Sequence, residues 1–234
     1  MQQNRRIRQD RYQYERYKAR LGEDAPKNFS AFRRIKGAGE ERWGILEAQY
    51  KGMGYYEKVI KNEPEITKVV LGVAKQVDME PAGLKYRIKS KDSFLRKIRA
   101  NFNPDGNTYE IRDIIRYTYT AEPTVLAEKT NQSIDALSVK GYNTIEVKNS
   151  WLDDTNPYKG INTNIVAPNG QVFEMQYHTP ESFELKNGKL HELYEKSRLI
   201  KNKKSPEYLE LQNKMFALSE ELSCPARIEE VINK

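Results

Sequence analysis

Three polar side chains, Glu174, Gln176 and His178, alternate with apolar residues in the stretch VFEMQYH. Successive side chains of a β-strand point to opposite faces, so these three share one face and the apolar residues share the other. A carboxylate beside an amide and an imidazole can accept a proton and bind the polar groups of a ligand. The pattern therefore predicts a strand that lines a polar cleft, with a solvated strand face as the alternative.

A strongly basic stretch precedes this strand in the chain. YRIKSKDSFLRKIRA places six Lys and Arg side chains within thirteen positions, and Ser90 or Asp92 can cap a helix that begins there. Phe94, Leu95 and Ile98 would form its apolar side. Unpaired N–H groups at a helix N-terminus, flanked by cations, favour phosphate binding. We therefore predict a phosphate site in this stretch, and a solvated basic helix is the alternative.

An acidic side chain, Asp113, heads the apolar stretch DIIRYTYT. A carboxylate at the start of a buried strand is costly unless it is paired or bound to a cation. With Glu174 on a nearby strand, Asp113 could hold Mg²⁺, which takes a few carboxylates together with phosphate oxygens and water. A structural ion pair with Arg112 or Arg116 is the alternative.

The elements that must position these residues alternate between strands and helices. Residues 1–30 would form a helix or stay disordered, and residues 31–62 have helical spacing of apolar residues. Further helices are predicted at 63–83, 124–141, 181–200 and 205–222, and strands at 108–120, 142–151 and on both sides of the turn Pro168-Asn169-Gly170. The fold class is therefore α+β: a mixed β-sheet flanked by helices, with a helical N-terminal extension.

Composition narrows the function classes. The 234 residues suit one domain with a smaller extension, and no apolar run is long enough to span a bilayer. The N-terminus does not read as a secretory signal, and the only cysteine, Cys224, excludes an internal disulfide. The net charge of +7 is concentrated in residues 1–20, which carry seven basic and two acidic side chains. The remainder is close to neutral, so the totals do not require the basic face of a general nucleic-acid binder, and they leave room for a small cationic pocket.

Four elements in order resemble the synthetase domain of the RelA/SpoT family, over roughly residues 86–179. The family pattern Arg-x-Lys-x3-Ser-x3-Lys is met by Arg87, Lys89, Ser93 and Lys97, and Asp113 follows where the family has a magnesium ligand. PYKGIN is similar to the family's GYxSLH element, and EMQYHT is similar to its EIQIRT element. These likenesses imply the nucleotidyltransferase-like synthetase fold and transfer of pyrophosphate from ATP to a nucleotide 3′-hydroxyl.

The resemblance implies a role for each matching residue. Glu174 and Asp113 would be catalytic and would hold Mg²⁺, with Glu174 also taking the proton of the 3′-hydroxyl. The residues implied to bind ATP are Arg87, Lys89, Ser93, Lys97 and Arg116. The residues implied to contact the acceptor are Tyr158, which would stack on its base, and Asn156, Asn162, Gln176, His178 and Lys148.

The departures from the family pattern concern the acceptor. Asn162 stands where the family has His, His178 where it has Arg, and no Gly follows Asp113. RDIIRYT, YKGIN and FEMQYHTPES are most similar to the toxic branch of the family, which includes enzymes that pyrophosphorylate adenosine nucleotides and others that modify the tRNA 3′ end. We therefore expect AMP, ADP or ATP as the acceptor, with GDP, GTP or the tRNA CCA end as alternatives.

The N-terminal segment has a resemblance of its own. Residues 1–52, with APKNFSAFRRIK and ERWGILEAQYKG, resemble the tail of phage minor head (head-morphogenesis) proteins. This implies a connector, residues 1–62, that attaches a synthetase domain, residues 63–234, to a capsid-type carrier. An ordinary helical lead-in is the alternative for the segment, and a non-enzymatic phage structural or DNA-contacting module is the alternative for the chain. A toxin would act in the bacterial cytoplasm and would have an immunity or antitoxin protein as partner.

Overall fold

The computed structural model describes residues 2–106 and 108–234. Its α-helices there are α1 (Gln2–Leu21), α2 (Phe29–Gly37), α3 (Glu40–Gln76), α4 (Lys91–Ala100), α5 (Leu126–Val139), α6 (Pro180–Asn187), α7 (Lys189–Leu199) and α8 (Pro206–Glu220). Its strands are β1 (Glu80–Ala82), β2 (Arg116–Thr120), β3 (Asn143–Asn149), β4 (Ile161–Val166) and β5 (Val172–His178). The predicted α+β class is confirmed.

The five strands form one mixed sheet in the order β1-β2-β5-β4-β3. Strand β5 lies at the centre, parallel to β2 on one side and antiparallel to β4 on the other. The β4–β5 hairpin turns at Gly170, whose φ of +82° is a conformation that glycine adopts without strain. The predicted hairpin is therefore confirmed, and it supplies the middle of the sheet.

The chain divides into two compact units. The first contains residues 1–62 and 89–114, and the second contains residues 63–88 and 115–234. Helix α3 contributes to both, and all five strands belong to the second unit. The compact units do not test the predicted connector, residues 1–62, and synthetase domain, residues 63–234, which stay a prediction.

The basic N-terminal segment, whose structure the sequence leaves open, is helical in the first unit. Tyr17 and Phe32 are buried, and both rings lie against the indole of Trp43. Tyr17 also stacks on Tyr50 with ring centroids 4.2 Å apart. Burial of such large rings, with their favourable edge and stacked contacts, holds α1 and α2 on α3 within this unit.

Helix α3 corrects the prediction of a helix that begins at Glu63 and Pro64. The helix begins at Glu40 and passes through Pro64 without ending. Val59, Ile66, Val70 and Val73 are all buried, so apolar residues at helical spacing continue on both sides of the proline. This continuous burial outweighs the one hydrogen bond that a proline removes.

Two further predictions of element length are wrong. The predicted strand 108–120 begins only at Arg116, and Asp113 lies in the turn before it instead of at its head. The predicted helix 181–200 is two helices, because Gly188 at φ −101° and ψ −114° interrupts it between α6 and α7. In the part of the chain that the structure describes, no helix has both the length and the hydropathy needed to cross a bilayer.

Candidate functional site

Glu174 and Arg116 are paired across the centre of the sheet in the second unit. They are register partners on the parallel strands β2 and β5, and the Arg116 Nε–H donates a hydrogen bond to Glu174 Oε2. Only 14% of the Glu174 side chain is exposed. The guanidinium of Arg116 therefore fixes the orientation of the largely buried Glu174 carboxylate, which the sequence predicts to be catalytic.

The face of β5 that carries Glu174 is not a solvated surface. The alternation is as predicted, with Phe173, Met175 and Tyr177 fully buried on one side, but Gln176 and His178 on the other side are buried as well. Gln176 Oε1 accepts a hydrogen bond from Lys186 Nζ on α6. Helix α6 thus covers the polar face, and Lys186 joins the candidate site.

Tyr158, the predicted stacking residue, is held by its hydroxyl group. It donates to Asn162 Oδ1 at 2.6 Å and lies 2.9 Å from His178 Nε2, while His178 Nδ1 lies 3.0 Å from Ser182 Oγ. Both ring nitrogens of His178 therefore lie within hydrogen-bond distance of a hydroxyl oxygen, Tyr158 at Nε2 and Ser182 at Nδ1. Asn162 and His178, both predicted to contact the acceptor, are therefore the partners that orient Tyr158.

Gly160 allows this close arrangement of Tyr158 and His178. A Cβ atom at position 160 would lie within 2.7 Å of the Tyr158 hydroxyl oxygen and closer still to the His178 ring. The two rings meet edge to face with centroids 5.4 Å apart. The glycine in YKGIN is thus required by packing at the site.

Burial and mutual charge shift the pKa values of this cluster. Burial raises the pKa of Tyr158 well above its usual value, and the negative charge of Glu174 adds to that effect. Burial, followed by the positive charge of Lys186, holds the pKa of His178 well below 6.5. Burial and the charge of Arg116 lower the pKa of Lys186 to about 8, against the opposing effect of Glu174. The five charged or polar groups therefore act on one another electrostatically.

Arg87, a predicted ATP-binding residue, also lies in the second unit. Its Nε–H donates to Glu63 Oε1 at 2.5 Å, and its Nη1 donates to Leu84 O at 3.1 Å. Although burial alone would raise the pKa of Glu63, the hydrogen bonds from Arg87 and Thr67 lower it. The guanidinium plane is thus fixed before any ligand binds.

Three of the other residues predicted to bind ATP, together with Asp113, lie in the first unit, whereas Arg116 lies in the second. Lys89 Nζ lies 3.1 Å from Asp113 Oδ2, and Lys97 Nζ donates to Asp113 Oδ1 at 2.9 Å. Ser90 caps α4 as predicted by accepting from the Ser93 N–H at 3.3 Å, which places Ser93 in the first turn. Asp113 is thus paired with two lysines that match the family pattern.

The remaining predicted acceptor residues differ in their surroundings. Asn156 Oδ1 accepts from the Tyr158 N–H at 2.9 Å and so shapes the loop before the ring. Lys148 on β3 is the register partner of Asn162, and its ammonium lies 2.8 Å from Glu146 Oε1. Asn156 therefore supports Tyr158, whereas Lys148 is an exposed cation on the neighbouring strand.

Asp113 in the first unit and Glu174 in the second are each predicted to hold Mg²⁺, and this role stays a prediction. Within the described residues there is no cluster of three or more His, Cys, Asp or Glu side chains that could hold a metal ion. Mg²⁺ commonly binds one or two carboxylates and takes its other ligands from phosphate oxygens and water. Asp113 and Glu174 are carboxylates of this kind, and each is paired with cations that phosphate groups can also engage.

Two residues of the site escaped sequence reasoning. Lys186 lies in an ordinary amphipathic pattern, and the pattern at Glu63 predicts only the start of a helix. Lys186 lies eight residues after His178, in the helix that Pro180 begins directly after β5. A helix that follows a strand so closely can fold back over it, and this is the signal that could have indicated Lys186. For Glu63, the hydrogen bond from Thr67 lies within α3, but the ion pair with Arg87 joins residues 24 positions apart, which no local pattern reveals.

The fold resembles that of several solved structures. No family model matches the chain, and no curated protein matches its sequence. Among solved structures, the type VI effector Tas1, in complex with its immunity protein, matches with a TM-score of 0.50 and 23% identity, covering 70% of this chain and 92% of Tas1. The small alarmone synthetase 2 from Bacillus subtilis matches with a TM-score of 0.51 and 14% identity, covering 71% and 89%.

The fold is that of the small alarmone synthetases. The expected synthetase fold is therefore confirmed, including the mixed sheet on which Arg116 and Glu174 are paired. The comparisons do not support the resemblance of residues 1–52 to phage head proteins, which stays a prediction.

Proposed function

We propose that this chain is a toxin-type pyrophosphokinase that transfers the β,γ-pyrophosphate of ATP to the ribose 3′-hydroxyl of AMP, ADP or ATP. The observation that carries the proposal is the pairing of Arg116 with Glu174 on the central strands of an alarmone synthetase fold. The motif residues from the first unit and the acceptor residues around Tyr158 support it. The products would be (p)ppApp-type nucleotides, and the reaction would deplete ATP.

The donor phosphates would engage Lys89 and Lys97. Both ammonium groups contact Asp113, and a triphosphate would compete for them because it carries more negative charge than one carboxylate. Ser93, in the first turn of α4, would donate its hydroxyl to a phosphate oxygen. Neutralising the donor phosphates in this way lowers the repulsion that an approaching nucleophile meets.

The adenine of ATP would stack on Arg87. A guanidinium group is flat and stacks on aromatic faces, and the bond to Glu63 already fixes its plane. Fixing the side chain in advance reduces the conformational entropy lost on binding. We therefore assign Glu63 as the residue that positions Arg87.

Glu174 would take the proton from the acceptor 3′-hydroxyl. The 3′-oxygen then attacks the β-phosphorus of ATP, the bond between that phosphorus and the α,β-bridging oxygen breaks, and AMP leaves with the electron pair. Mg²⁺, when bound by Asp113 and Glu174, would offset the charge that develops on the phosphate oxygens. Arg116 holds the carboxylate and would also contact a phosphate oxygen of the donor.

Tyr158 would stack on the acceptor base. Its hydroxyl is held by Asn162 and His178, so the ring is oriented before the acceptor arrives. A base stacked on an aromatic ring gains about 1–3 kcal/mol with little preference among bases. Stacking therefore supplies affinity, and discrimination between adenosine and guanosine must come from the polar groups around the ring.

The toxic role rests on the sequence resemblance and on the effector with a similar fold. Tas1 is an effector that was solved together with its immunity protein. We propose that this chain likewise stops growth when it acts in a bacterial cytoplasm and that an immunity protein neutralises it. Induced expression in bacteria should arrest growth, and Glu174→Gln should relieve the arrest at equal protein levels.

The reaction is tested by product analysis. Purified protein is incubated with Mg²⁺, ATP labelled in either the β- or the γ-phosphate, and AMP, ADP, GDP, GTP or tRNA in turn. The proposal predicts that both labels reach an adenosine acceptor and that AMP is released. Preferred transfer to GDP, GTP or tRNA would change the acceptor, and the absence of transfer to every acceptor would refute the function.

A further inference from the structure

The net positive charge of the chain comes from the segment that contains α1 and α2. Residues 1–36 carry eleven basic and four acidic side chains, a net charge of +7, which equals the net charge of the whole chain. The other residues are therefore neutral in total. Eight of the sixteen arginines of the chain also lie within this segment. Arginine binds phosphate with two parallel hydrogen bonds and stacks on aromatic rings, so the composition favours a phosphorylated partner.

Helix α1 carries part of this charge on the side opposite to its buried face. Tyr14, Tyr17 and Leu21 are buried, so that face of the helix is packed within the first unit. The opposite face is exposed, and its side chains follow one another at three- or four-residue spacing. We call the four residues on this face the arginine stripe: Arg5, Arg8, Tyr12 and Arg16.

Acidic side chains do little to neutralise the arginine stripe. Asp10 is buried, and its carboxylate lies 2.7 Å from Lys36 Nζ and 3.5 Å from Arg33 Nε, both on α2. Glu15 is the other acidic residue of α1. Like charges three residues apart on a helix, such as the first two arginines of the stripe, repel each other and destabilise the helix. An anionic partner bound along the stripe would offset this repulsion.

An exposed aromatic ring lies within the arginine stripe. Tyr12 is 69% exposed, and the guanidinium carbon of Arg16 lies 6.0 Å from the centroid of its ring. Proteins that bind single-stranded nucleic acid combine cations along the backbone with aromatic rings on which unpaired bases stack. The stripe offers both kinds of group on one face.

The length of the arginine stripe suits a polymer of phosphates. Arg5 and Arg16 are eleven residues apart, which corresponds to about 16 Å along an α-helix. A stacked nucleic-acid strand carries one phosphate per about 3.4 Å, so the stripe is as long as roughly five phosphates. A small anion would contact one arginine at a time, whereas a strand can contact all three.

We propose that the arginine stripe binds single-stranded nucleic acid, with its arginines on phosphates and an unpaired base stacked on Tyr12. A membrane surface fits less well, because an interfacial helix inserts an apolar face and the apolar face of α1 is already buried. The inference is independent of the proposed function, since the stripe lies in the first unit and Glu174 lies in the second. Such binding would hold the protein on RNA or DNA whichever acceptor it modifies.

Fluorescence anisotropy with a labelled single-stranded RNA, and with DNA of the same sequence, tests the charges. Arg5→Gln with Arg8→Gln should raise the Kd about tenfold or more. The slope of log Kd against log salt concentration should fall by about 1.4, because each phosphate contact of a single strand contributes about 0.7. Lys58→Gln with Lys61→Gln removes two exposed cations of α3 in the same unit and should leave the Kd and the slope unchanged.

Tyr12→Ala tests the stacked base. Its Kd for the single strand should rise roughly five- to 150-fold with the salt slope unchanged. Its Kd for a duplex of the same sequence should stay the same, because paired bases are not available to the ring. Equal loss of single-strand and duplex binding, or no loss of either, would overturn the assignment of Tyr12. Thermal unfolding establishes that all variants are folded.

The outcomes separate this inference from the proposed function. Preference for RNA or for DNA identifies the source of the strand, and either result supports the inference. Absence of binding, equal Kd values for the wild-type protein and the arginine variant, or binding only to vesicles of anionic lipid would overturn it. Glu174→Gln should bind the strand like the wild-type protein, and the arginine variant should transfer pyrophosphate to ADP at the wild-type rate. A wild-type protein that transfers nothing would refute the proposed function and leave the strand-binding result intact.

Discussion

Arg116 and Glu174 are register partners on adjacent parallel strands, and the guanidinium of Arg116 donates a hydrogen bond to the carboxylate of Glu174. Backbone pairing on both sides of β5 fixes the position of the carboxylate, and the arginine fixes its orientation. A group held on rigid strands is placed more precisely than one on a loop. Of the predicted acceptor residues, Tyr158 lies on the loop before β4, Asn162 lies on β4, and His178 lies on β5 itself.

Gly160→Ala should disrupt the acceptor side of the site. The new methyl group would collide with the Tyr158 hydroxyl and the His178 ring, and overpacking of this kind costs about 1–3 kcal/mol of unfolding free energy. Denaturant unfolding measures this loss, and the KM for the acceptor should rise in parallel.

The matched control is Gly72→Ala on α3, where the added methyl group would meet no atom within 4 Å. Alanine favours a helix interior, so this variant should gain about 0.5–1 kcal/mol of stability. Equal stability of the Gly160→Ala variant and the wild-type protein would show that the close approach is not rigid.

Lys97→Met should weaken donor binding specifically. Lys97 contacts Asp113, and a charged hydrogen bond to phosphate is worth about 1.5–3 kcal/mol, so the KM for ATP should rise roughly ten- to hundredfold. The KM for the acceptor should stay the same. Arg96→Met removes an exposed charge from the same helix and should leave both values unchanged. A rise in the acceptor KM for Lys97→Met would assign that lysine to the other substrate.

Tyr158→Ala and Tyr158→Phe should separate stacking from hydrogen bonding. Loss of the ring removes about 1–3 kcal/mol of stacking, which raises the acceptor KM roughly five- to 150-fold. Tyr158→Phe keeps the ring, so its acceptor KM should rise far less, while unfolding free energy falls by about 1 kcal/mol because Asn162 and His178 lose a partner. Equal acceptor KM values for the two variants would exclude stacking.

Stability should fall in acid because of His178. The pKa of His178 is 6.5 in the unfolded chain and lies well below that in the folded protein. At a pH between the folded and the unfolded pKa, the unfolded chain therefore binds a proton that the folded chain does not. Stability from the neutral imidazole is therefore complete above 6.5 and is lost as the pH falls, by up to about 1.4 kcal/mol per pH unit. His178→Asn should abolish this slope, whereas His191→Asn, which changes an exposed histidine, should retain it. Parallel curves for the wild-type and His178→Asn proteins would contradict the assignment.

Sequence patterns were sufficient where the determining contacts are local. The alternation in VFEMQYH, the turn at Gly170 and the cap at Ser90 each depend on neighbouring residues, and each is as predicted. The pairing of Arg116 with Glu174 joins residues 58 positions apart, and its register depends on a parallel strand contact that the sequence does not display.

Other features depended on packing that overrides local preference. Pro64 is a helix breaker by local rules, yet α3 continues through it because the buried apolar positions continue. Lys186 is part of the site because α6, which Gly188 caps, lies over the polar face of β5 and brings the ammonium group to Gln176. From the alternation of polar and apolar residues alone, the polar face of β5 would line a cleft or face solvent, but in the structure α6 covers it.

Glu174→Gln, assayed with ATP labelled in its β- or γ-phosphate, tests the central claim most directly. The amide keeps the size of the side chain and cannot take the proton, so transfer of both labels to the acceptor should fall by about 10²- to 10⁴-fold. Glu146→Gln, which changes another carboxylate of the same sheet, should transfer both labels at nearly the wild-type rate. Undiminished transfer by Glu174→Gln, or transfer of the γ-label alone by the wild-type protein, would contradict the account.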